Sequence, residues 1–411
     1  MFLITRFCTN MGLMSDGIRT YLDNAATTEI DVQAKAAMLD CLHTCWGNPS
    51  GSYAEGRRAK GALEWARTVF SEGLDVPATD VCFTSCGTES NNIAIRSVMR
   101  KQIKIGRTVL VTTSIEHSSV RETAEMCGCK HIETPVDDQG VVLLTEFEKI
   151  LTADIDRIGM ISVIYAQNEV GTVQRIKDLV AVARRVSPDF RIPFHIDATQ
   201  ALCKIPVNVR VLDVDMLTAS AHKFHGPRGV GILYSRPGLV TRETTPMTGG
   251  GQEEGKRSGT ENVPAIVGAA VAFSFALAGL SGHAERLFKL KSHLETEIRR
   301  ILPGVIFNSS SEKSGHALPN IVNFCMPDGV HGHDMVERLD KMGVSVNAGS
   351  ACTRMKSPSK TLLAMGRSPE LAHSAIRVSM SLHTTRGDCD KFLIALEKAA
   401  SEEARGRGAK P

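Results

Sequence analysis

The 411-residue chain lacks a strong excess of charge of either sign. Its 48 basic and 45 acidic residues leave a net charge of only +3, with histidine counted as neutral. A balance this small does not by itself supply the field that draws a protein to nucleic acid or to a membrane surface. We therefore expect no direct nucleic-acid binding, no membrane association, and a small molecule as the substrate.

The dense cysteine pattern of a secreted disulfide scaffold is also missing. Eleven cysteines are few for a chain of this length, and because the number is odd at least one of them must stay unpaired. Reduced thiols in an intracellular compartment are the better interpretation. Cys127 and Cys129 lie close to His131, but no second pair at zinc-like spacing accompanies them, so we expect no metal site.

The first residues lack the long apolar run of a signal peptide. Met1 to Ser15 carries Arg6 and no acidic residue, which is compatible with a short organellar presequence, although Met11 or Met14 could equally be the start of translation. We expect a cytoplasmic protein. A mitochondrial or nuclear location stays open.

One almost uncharged stretch, Val263 to Leu280, is long enough to suggest a transmembrane helix. Alanine and glycine dominate it, Pro264 lies near its start, and the charged amphipathic segment Glu285 to Arg300 follows at once. This composition predicts a buried helix of a globular protein.

Short β-branched segments alternate with helical patterns between about residues 79 and 235. The predicted strands are Asp80 to Thr84, Thr108 to Thr113, Gly159 to Tyr165, Pro193 to Ile196, Met216 to Ala219 and Val230 to Tyr234. This alternation indicates an α/β domain with a mostly parallel sheet and helices on both faces. Ligands bind such sheets beyond the carboxyl ends of the strands. Polar residues follow those ends and could share one crevice: Thr88, His117, Asn168, Asp197 and Lys223.

A second unit follows the helical stretch that begins after Pro264. Strand-like segments at Ile321 to Cys325, Val344 to Asn347 and Ile376 to Ser379 predict a smaller α+β domain, completed by residues near the N-terminus. We place the large domain at residues 28–275 and build the small one from residues 15–27 and 276–411.

The segment Ser220 to Lys223, together with Asp197, supplies an amine, an acid and phosphate ligands at short spacing. A lysine that closes an apolar strand can be desolvated, and a lowered pKa favours the neutral amine that bonds to an aldehyde. A carboxylate at Asp197 could keep a pyridine nitrogen protonated. Either residue alone is more simply a surface lysine or a helix cap; together they suit pyridoxal 5'-phosphate (PLP).

A phosphate site is predicted where the strand before Ser85 gives way to a helix. Gly87 and Thr88 begin that helix, and backbone N–H groups and the positive end of a helix dipole favour a phosphate there. An ordinary helix cap remains the alternative. Gly250 to Arg257 resembles a nucleotide-binding P-loop, but Arg257 occupies the position that needs Ser or Thr, and two acids lie inside the loop.

Taken together, the motifs resemble those of cysteine desulfurases of the class-V aminotransferase family, whose close relatives include selenocysteine lyases. The resemblance covers nearly the whole chain and is carried by Tyr21 to Thr28, Gly47 to Ser50, Cys86 to Asn91, Glu116 and His117, Asn168 to Gly171, Asp197 to Lys223, Arg257 to Thr260, and Gly349 to Thr353. It implies a fold-type I PLP-dependent transferase, with a large domain built on a sheet of the seven-stranded type.

The activity that the resemblance implies is conversion of L-cysteine to L-alanine, with a persulfide left on Cys352 and passed to an acceptor protein for iron–sulfur cluster assembly or tRNA thiolation. The alternative is a selenocysteine lyase that releases selenide and L-alanine from L-selenocysteine. Both readings make Lys223, Cys352 and His117 the catalytic residues. Neither involves a metal.

The resemblance also implies roles for individual side chains. His117 stacks on the cofactor ring and helps with proton transfers, Ser220 and His222 bind the phosphate, and Gln200 and Asn168 bind the ring oxygen. Asn168 also holds the substrate carboxylate. Thr260 reaches the phosphate of the neighbouring subunit, which implies a homodimer.

Arg377 could clamp the substrate carboxylate with its two-pronged guanidinium, or it could simply form an ion pair between domains. Cys352 lies among small residues and is followed by Arg354 and Lys356, whose charges favour the thiolate. In this loop Arg354 to Lys356 replaces the small or hydroxylated residues of the commoner desulfurase pattern, and one residue is missing before Ser357. Both differences bear on the reach of the loop and on its acceptor.

Overall fold

The computed structural model describes residues 19–310, 312–327, 330–349 and 358–408. The strands, numbered along the chain, are β1 Thr20–Tyr21, β2 Val81–Thr84, β3 Val109–Thr113, β4 Lys130–Thr134, β5 Ile158–Ile164, β6 Phe194–Asp197, β7 Met216–Ser220, β8 Gly231–Ser235, β9 Ile306–Phe307, β10 Ile321–Cys325, β11 Val344–Ser345 and β12 Ala375–Ser379. The targeting segment discussed above lies outside the described residues.

The α-helices are α1 Val32–Thr44, α2 Ala54–Leu74, α3 Gly87–Gln102, α4 Ser118–Met126, α5 Leu144–Ala153, α6 Ile176–Val186, α7 Val209–Leu212, α8 Val263–Ala278, α9 Leu280–Ile301, α10 Gly332–Lys341, α11 Lys360–Ala364, α12 Pro369–His373 and α13 Arg386–Gly408.

A mixed seven-stranded sheet with the order β2-β8-β7-β6-β5-β3-β4 forms the centre of the fold. β8 runs antiparallel to both of its neighbours, and the remaining pairs are parallel. The strands predicted between residues 79 and 235 are all present, shifted by no more than one residue at their ends. The predicted α/β class with a mostly parallel sheet is confirmed.

Alternate side chains of the central strands enter different hydrophobic clusters, as the two-residue period of a strand requires. Val109 and Val111 of β3 pack in one cluster, whereas Leu110 between them packs in another. Both faces of the sheet are therefore covered, which is why β5 is buried along its whole length.

A second group of strands and helices has its own hydrophobic core. It contains the antiparallel sheet β12-β10-β9 and the parallel pair β1-β11. Leu22, which follows β1, packs with Phe324 of β10 and Phe392 of α13. Residues near the N-terminus thus complete this unit, as the sequence suggested. The domain boundaries at residues 28 and 275 stay a prediction.

Helix α8 lies against α1 and α2, and most of its side chains are buried. The Asn262 side chain accepts a hydrogen bond from Ala265 N, and Pro264 occupies the first turn, where its missing N–H costs nothing. The buried helix predicted for this stretch is therefore present. In the described part of the chain no single helix has the length and apolarity to cross a membrane; α8 and α9 do so only as a pair bent by 72°.

A buried ion pair ties helix α2 to the strand that leads into the predicted phosphate site. Arg67 Nη1 and Nη2 each lie 2.8 Å from a carboxylate oxygen of Glu253, and Glu253 Oε2 also accepts from Phe83 N of β2 at 2.8 Å. Glu253 adopts a left-handed backbone conformation with φ 49°. Arg67 Nη1 also donates to Val81 O at 2.8 Å, so the pair holds β2 against α2.

Replacing Glu253 with glutamine should lower the free energy of unfolding by up to about 3–5 kcal/mol, because, among the described residues, the buried Arg67 charge then keeps only the exposed carboxylate of Glu64, 3.3 Å from its Nε. Glu254→Gln is the matched control: Glu254 has φ 56°, but its side chain is 63% exposed. We expect that control to change stability by at most about 0.5 kcal/mol. Urea-induced unfolding measures the free energy of unfolding of both variants. Equal decreases in the two variants would mean that the buried ion pair makes no specific contribution to stability.

Candidate active site

A cavity of about 540 Å³ lies beyond the carboxyl ends of the parallel strands. It collects the predicted site residues Gly87, Thr88, His117, Asn168, Asp197, Gln200, Ser220, His222, Lys223 and Arg377. Thr260 does not line this cavity; it lines a separate one of about 200 Å³. Cys352 lies outside the described residues. The crevice predicted from the strand ends is thus present in a single chain.

The start of helix α3 forms one end of the cavity. Cys86 precedes the helix without a capping hydrogen bond from its side chain, which leaves the first N–H groups of the helix available to a ligand. A Cβ atom added at Gly87 would lie 3.1 Å from Thr199 Oγ1, so a side chain at this position would crowd this end of the cavity. Ser220 Oγ is buried and, within the described ranges, has no hydrogen-bond partner. These groups suit a phosphate.

Asp197 ends β6 and is 4% exposed. Its Oδ2 accepts from Asn91 Nδ2 at 2.8 Å, and its Oδ1 accepts from Thr199 N at 2.9 Å. The carboxylate is therefore held by one hydrogen bond from helix α3 and one from the turn that follows its own strand. Its position at a strand end explains why sequence reasoning could find it.

Lys223 lies in a short 3₁₀ turn, Ala221–Lys223, directly after β7. Its Nζ donates to the carbonyl oxygens of Ala25 and Ala26, both at 2.7 Å. The amine therefore faces the segment that joins β1 to α1. The strand fixes the backbone, and these carbonyl groups orient the side chain.

Two histidines of the cavity are held in environments that oppose a positive charge. Burial lowers the pKa of His222 to about 4, and the charge of Lys223 adds to this effect. Burial also lowers the pKa of His117, which begins helix α4 as its N-cap. His222 Nδ1 lies 3.1 Å from Thr27 Oγ1. Both rings are thus neutral near pH 7.

Arg377 lines the cavity but already has protein partners. Its Nη2 lies 2.6 Å from Asp23 Oδ1, and its Nη1 donates to Asn168 O at 2.9 Å. Its Nε has no partner among the described residues. The ion pair that the sequence offered as an alternative for Arg377 is therefore present, with Asp23 as the partner. The role of Arg377 as a clamp for the substrate carboxylate stays a prediction.

The cavity also contains three buried polar residues for which the sequence predicted no role: Asn91, Glu116 and Ser119. Burial raises the pKa of Glu116 to about 8, even though its Oε1 accepts from Thr113 Oγ1 and Ile164 N, each at 2.7 Å. Asn91 and Glu116 lie within the motifs that carry the family resemblance, and Ser119 lies two residues after His117. A polar residue in a helix gives no indication of which face it occupies.

Glu116→Gln should weaken the pH dependence of stability between about pH 5 and 8. The pKa of Glu116 lies near 8 in the folded protein, above its ordinary value of 4.5, so the folded state binds the extra proton. The contribution of Glu116 to the free energy of unfolding is fully present below pH 4.5. It is lost as the pH rises through 8, by up to about 1.4 kcal/mol per pH unit. Urea unfolding of both proteins across this range measures the difference. If the free energy of unfolding changed with pH in the same way in both proteins, Glu116 would not be the source of this pH dependence.

The sheet and the position of its polar residues define the structural class of the protein. A mixed seven-stranded α/β sheet with a lysine and an aspartate at the carboxyl ends of neighbouring strands is the arrangement of fold-type I enzymes. The chain belongs to the aminotransferase class-V family, whose model matches residues 20–392.

Similar proteins carry more specific names. The chain is 37% identical to cysteine desulfurase IscS of Dictyoglomus turgidum over 382 residues, which is 92% of this chain and 93% of that protein. It is 36% identical to cysteine desulfurase 2 of Trichormus variabilis over 380 residues, 91% of each chain. A solved NifS-like protein superposes with a TM-score of 0.85 at 36% identity and covers 93% of this chain and 100% of its own.

Proposed function

We propose that this chain is a PLP-dependent cysteine desulfurase that converts L-cysteine to L-alanine and takes up the sulfur on Cys352. The observation that carries the proposal is the single cavity in which Lys223, Asp197 and the start of helix α3 meet. Cysteine desulfurases that are 34–37% identical over more than nine-tenths of the chain support the choice of reaction.

The cavity suits PLP because it contains buried polar atoms that lack hydrogen-bond partners within the described part of the chain. Ser220 Oγ and Gln200 Oε1 are buried and have no hydrogen-bond partner among the described residues. Leaving such atoms unpaired is costly, so a polar ligand is favoured there. The open space at Gly87 lies at the end of the cavity where a phosphate would meet the helix.

Each group of the cofactor has matching residues in the cavity. Gly87, Thr88, Ser220 and His222 would hold the phosphate, Asp197 the pyridine nitrogen, Gln200 and Asn168 the ring oxygen, His117 the ring face, and Lys223 the aldehyde carbon. When bound, PLP supplies a conjugated ring that accepts the electrons released at the substrate α-carbon. The protein decides which bond is broken.

The chain's own residues perform the remaining steps. With PLP bound, Lys223 would yield the cofactor to the substrate amine, and its freed amine would then remove the α-proton as a general base. Asn168 and Arg377 hold the substrate carboxylate. The Cys352 thiolate attacks the substrate sulfur, so that an S–S bond forms as the C–S bond breaks, and a proton completes the methyl group of alanine. His117 serves the proton transfers.

The direct test uses the purified protein loaded with PLP. Incubation with L-cysteine and a thiol reductant should release alanine and sulfide in equal amounts, and the protein without PLP should release neither. Release of alanine without sulfide, or no turnover at all by the loaded protein, would contradict the proposal. The acceptor protein and a cytoplasmic location belong to the same proposal.

A homodimer is part of the proposed assembly. Thr260 lines its own cavity together with Arg257 and Glu261, away from Lys223 of the same chain, which supports a role toward a partner subunit. Thr260→Ala should weaken PLP retention, because one hydroxyl donor to the phosphate is lost, whereas Thr260→Ser should retain it. Equilibrium dialysis and light scattering measure retention and mass. A fully active monomer would contradict the shared site.

A further inference from the structure

A buried chain of hydrogen bonds connects two catalytic groups of the cavity. His117 Nδ1 lies 2.8 Å from Ser119 Oγ, Asn91 Nδ2 donates to that Ser119 Oγ at 2.9 Å, and Asn91 Nδ2 also donates to Asp197 Oδ2 at 2.8 Å. Asn91 is 1% exposed and Ser119 is 7% exposed. Solvent therefore does not compete for these bonds.

The direction of each bond follows from what the groups can donate. A carboxylate only accepts, so the amide nitrogen of Asn91 must face Asp197, and its second hydrogen points to Ser119 Oγ. Because Ser119 Oγ accepts from Asn91, its own hydrogen is available to His117 Nδ1. The backbone N–H of Ser119 also donates to His117 Nδ1, at 3.1 Å.

Two donors therefore converge on His117 Nδ1, and an imidazole nitrogen that accepts carries no proton. The proton of the neutral ring must lie on Nε2. Among the hydrogen bonds of the described residues, none involves His117 Nε2, and the ring lines the cavity. We propose that Asn91 and Ser119 are positioning residues that fix the Nε2–H tautomer of His117, so that it enters the reaction as a neutral hydrogen-bond donor.

The charges around the ring agree with a neutral state. The charged or titratable neighbours are Glu116, Arg121, Glu122, Asp197 and Lys223. Burial is the largest effect and lowers the pKa of His117; the positive charges of Lys223 and Arg121 act in the same direction, and Asp197 and Glu122 oppose them. His117 also caps helix α4, whose positive end disfavours an imidazolium ring.

The consequence for the proposed reaction concerns the role of His117. A ring that is neutral and protonated at Nε2 can donate to the substrate sulfur or to the cofactor, but it cannot accept a proton at that nitrogen. The first proton must therefore be taken by another group, and Lys223 is the base of the cavity. This part rests on the proposed function, whereas the tautomer itself does not.

Nuclear magnetic resonance of the PLP-loaded protein with ¹⁵N-labelled histidine tests the tautomer directly. The His117 signals are assigned by their loss in His117→Gln. We expect the two-bond ¹H–¹⁵N pattern of a ring with bare Nδ1 and protonated Nε2. A proton on Nδ1 in the unaltered protein would overturn the proposal.

A titration of the same signals tests the positioning residue. Ser119→Ala removes a donor that stabilises the neutral ring, so the pKa of His117 should rise by up to about one unit. Ser119→Thr should restore it, and Ser118→Ala, one residue earlier in the same cavity wall, should leave it unchanged. An unaltered pKa in Ser119→Ala would remove Ser119 from this role. Failure to turn over cysteine would leave these spectra unaffected, so the two proposals fail separately.

Discussion

Lys223→Ala is expected to abolish alanine production from L-cysteine and to leave the protein without covalently held cofactor. Lys223 is the proposed anchor of PLP and the proposed general base, and a positioned proton-transfer group alone contributes about 10²- to 10⁴-fold. Lys223→Arg keeps the positive charge near the carbonyl oxygens of Ala25 and Ala26 but lacks the primary amine. It should be equally inactive.

Borohydride reduction followed by peptide mass spectrometry identifies the lysine that holds the cofactor. The structure offers a specific competitor, since Lys204 is buried beside Lys223 in a small adjoining cavity and burial lowers its pKa to about 7. Lys204→Met should therefore keep the reducible link on Lys223. Cofactor trapped on Lys204 in the unaltered protein would show that the wrong lysine has been assigned.

Cys352→Ala should abolish alanine production from L-cysteine and spare part of the activity on L-selenocysteine. In the proposed reaction, removal of sulfur requires the Cys352 thiolate as nucleophile, whereas selenium is a softer and better leaving atom that can depart without bonding to the protein. Alanine release by the unaltered protein and by the variant, with each substrate at the same concentration, is the measurement. Cys203→Ala is a suitable control, because that thiol is buried.

The four rates separate the two leading functions. Cysteine turnover that survives in Cys352→Ala would exclude the proposed nucleophile. An unaltered protein that acts only on selenocysteine would assign the chain to the selenocysteine lyases. If Cys352→Ala lost both activities, Cys352 would be required for the reaction with both substrates.

The buried strands of the large sheet could be predicted, because strands covered on both faces are continuous apolar runs. β4 was missed for the opposite reason. It lies at the edge of the sheet, pairs only with β3, and carries Lys130, His131 and Glu133, most of them partly or fully exposed. An edge strand with polar residues has no sequence pattern that separates it from a loop.

The site could be predicted where its residues follow strand ends, as Asp197 and Lys223 do. Asn91 could not, since it lies inside helix α3, and only the packing of that helix against β6 brings it to Asp197. The ion-pair partner of Arg377 could not be predicted from the sequence either. Asp23 lies 354 positions away in the chain, and no local pattern connects them.

The same separation has a consequence for how the protein is made. Asn24 Nδ2 donates to Ser379 O across 355 positions, and the adjoining carbonyl groups of Ala25 and Ala26 receive the amine of Lys223. Closing so long a loop is entropically costly, and non-local contacts slow folding. During synthesis the N-terminal segment must wait for β12 to leave the ribosome before the wall around Lys223 is complete. We therefore expect loading of the proposed cofactor to be a late event, which follows translation of nearly the whole chain.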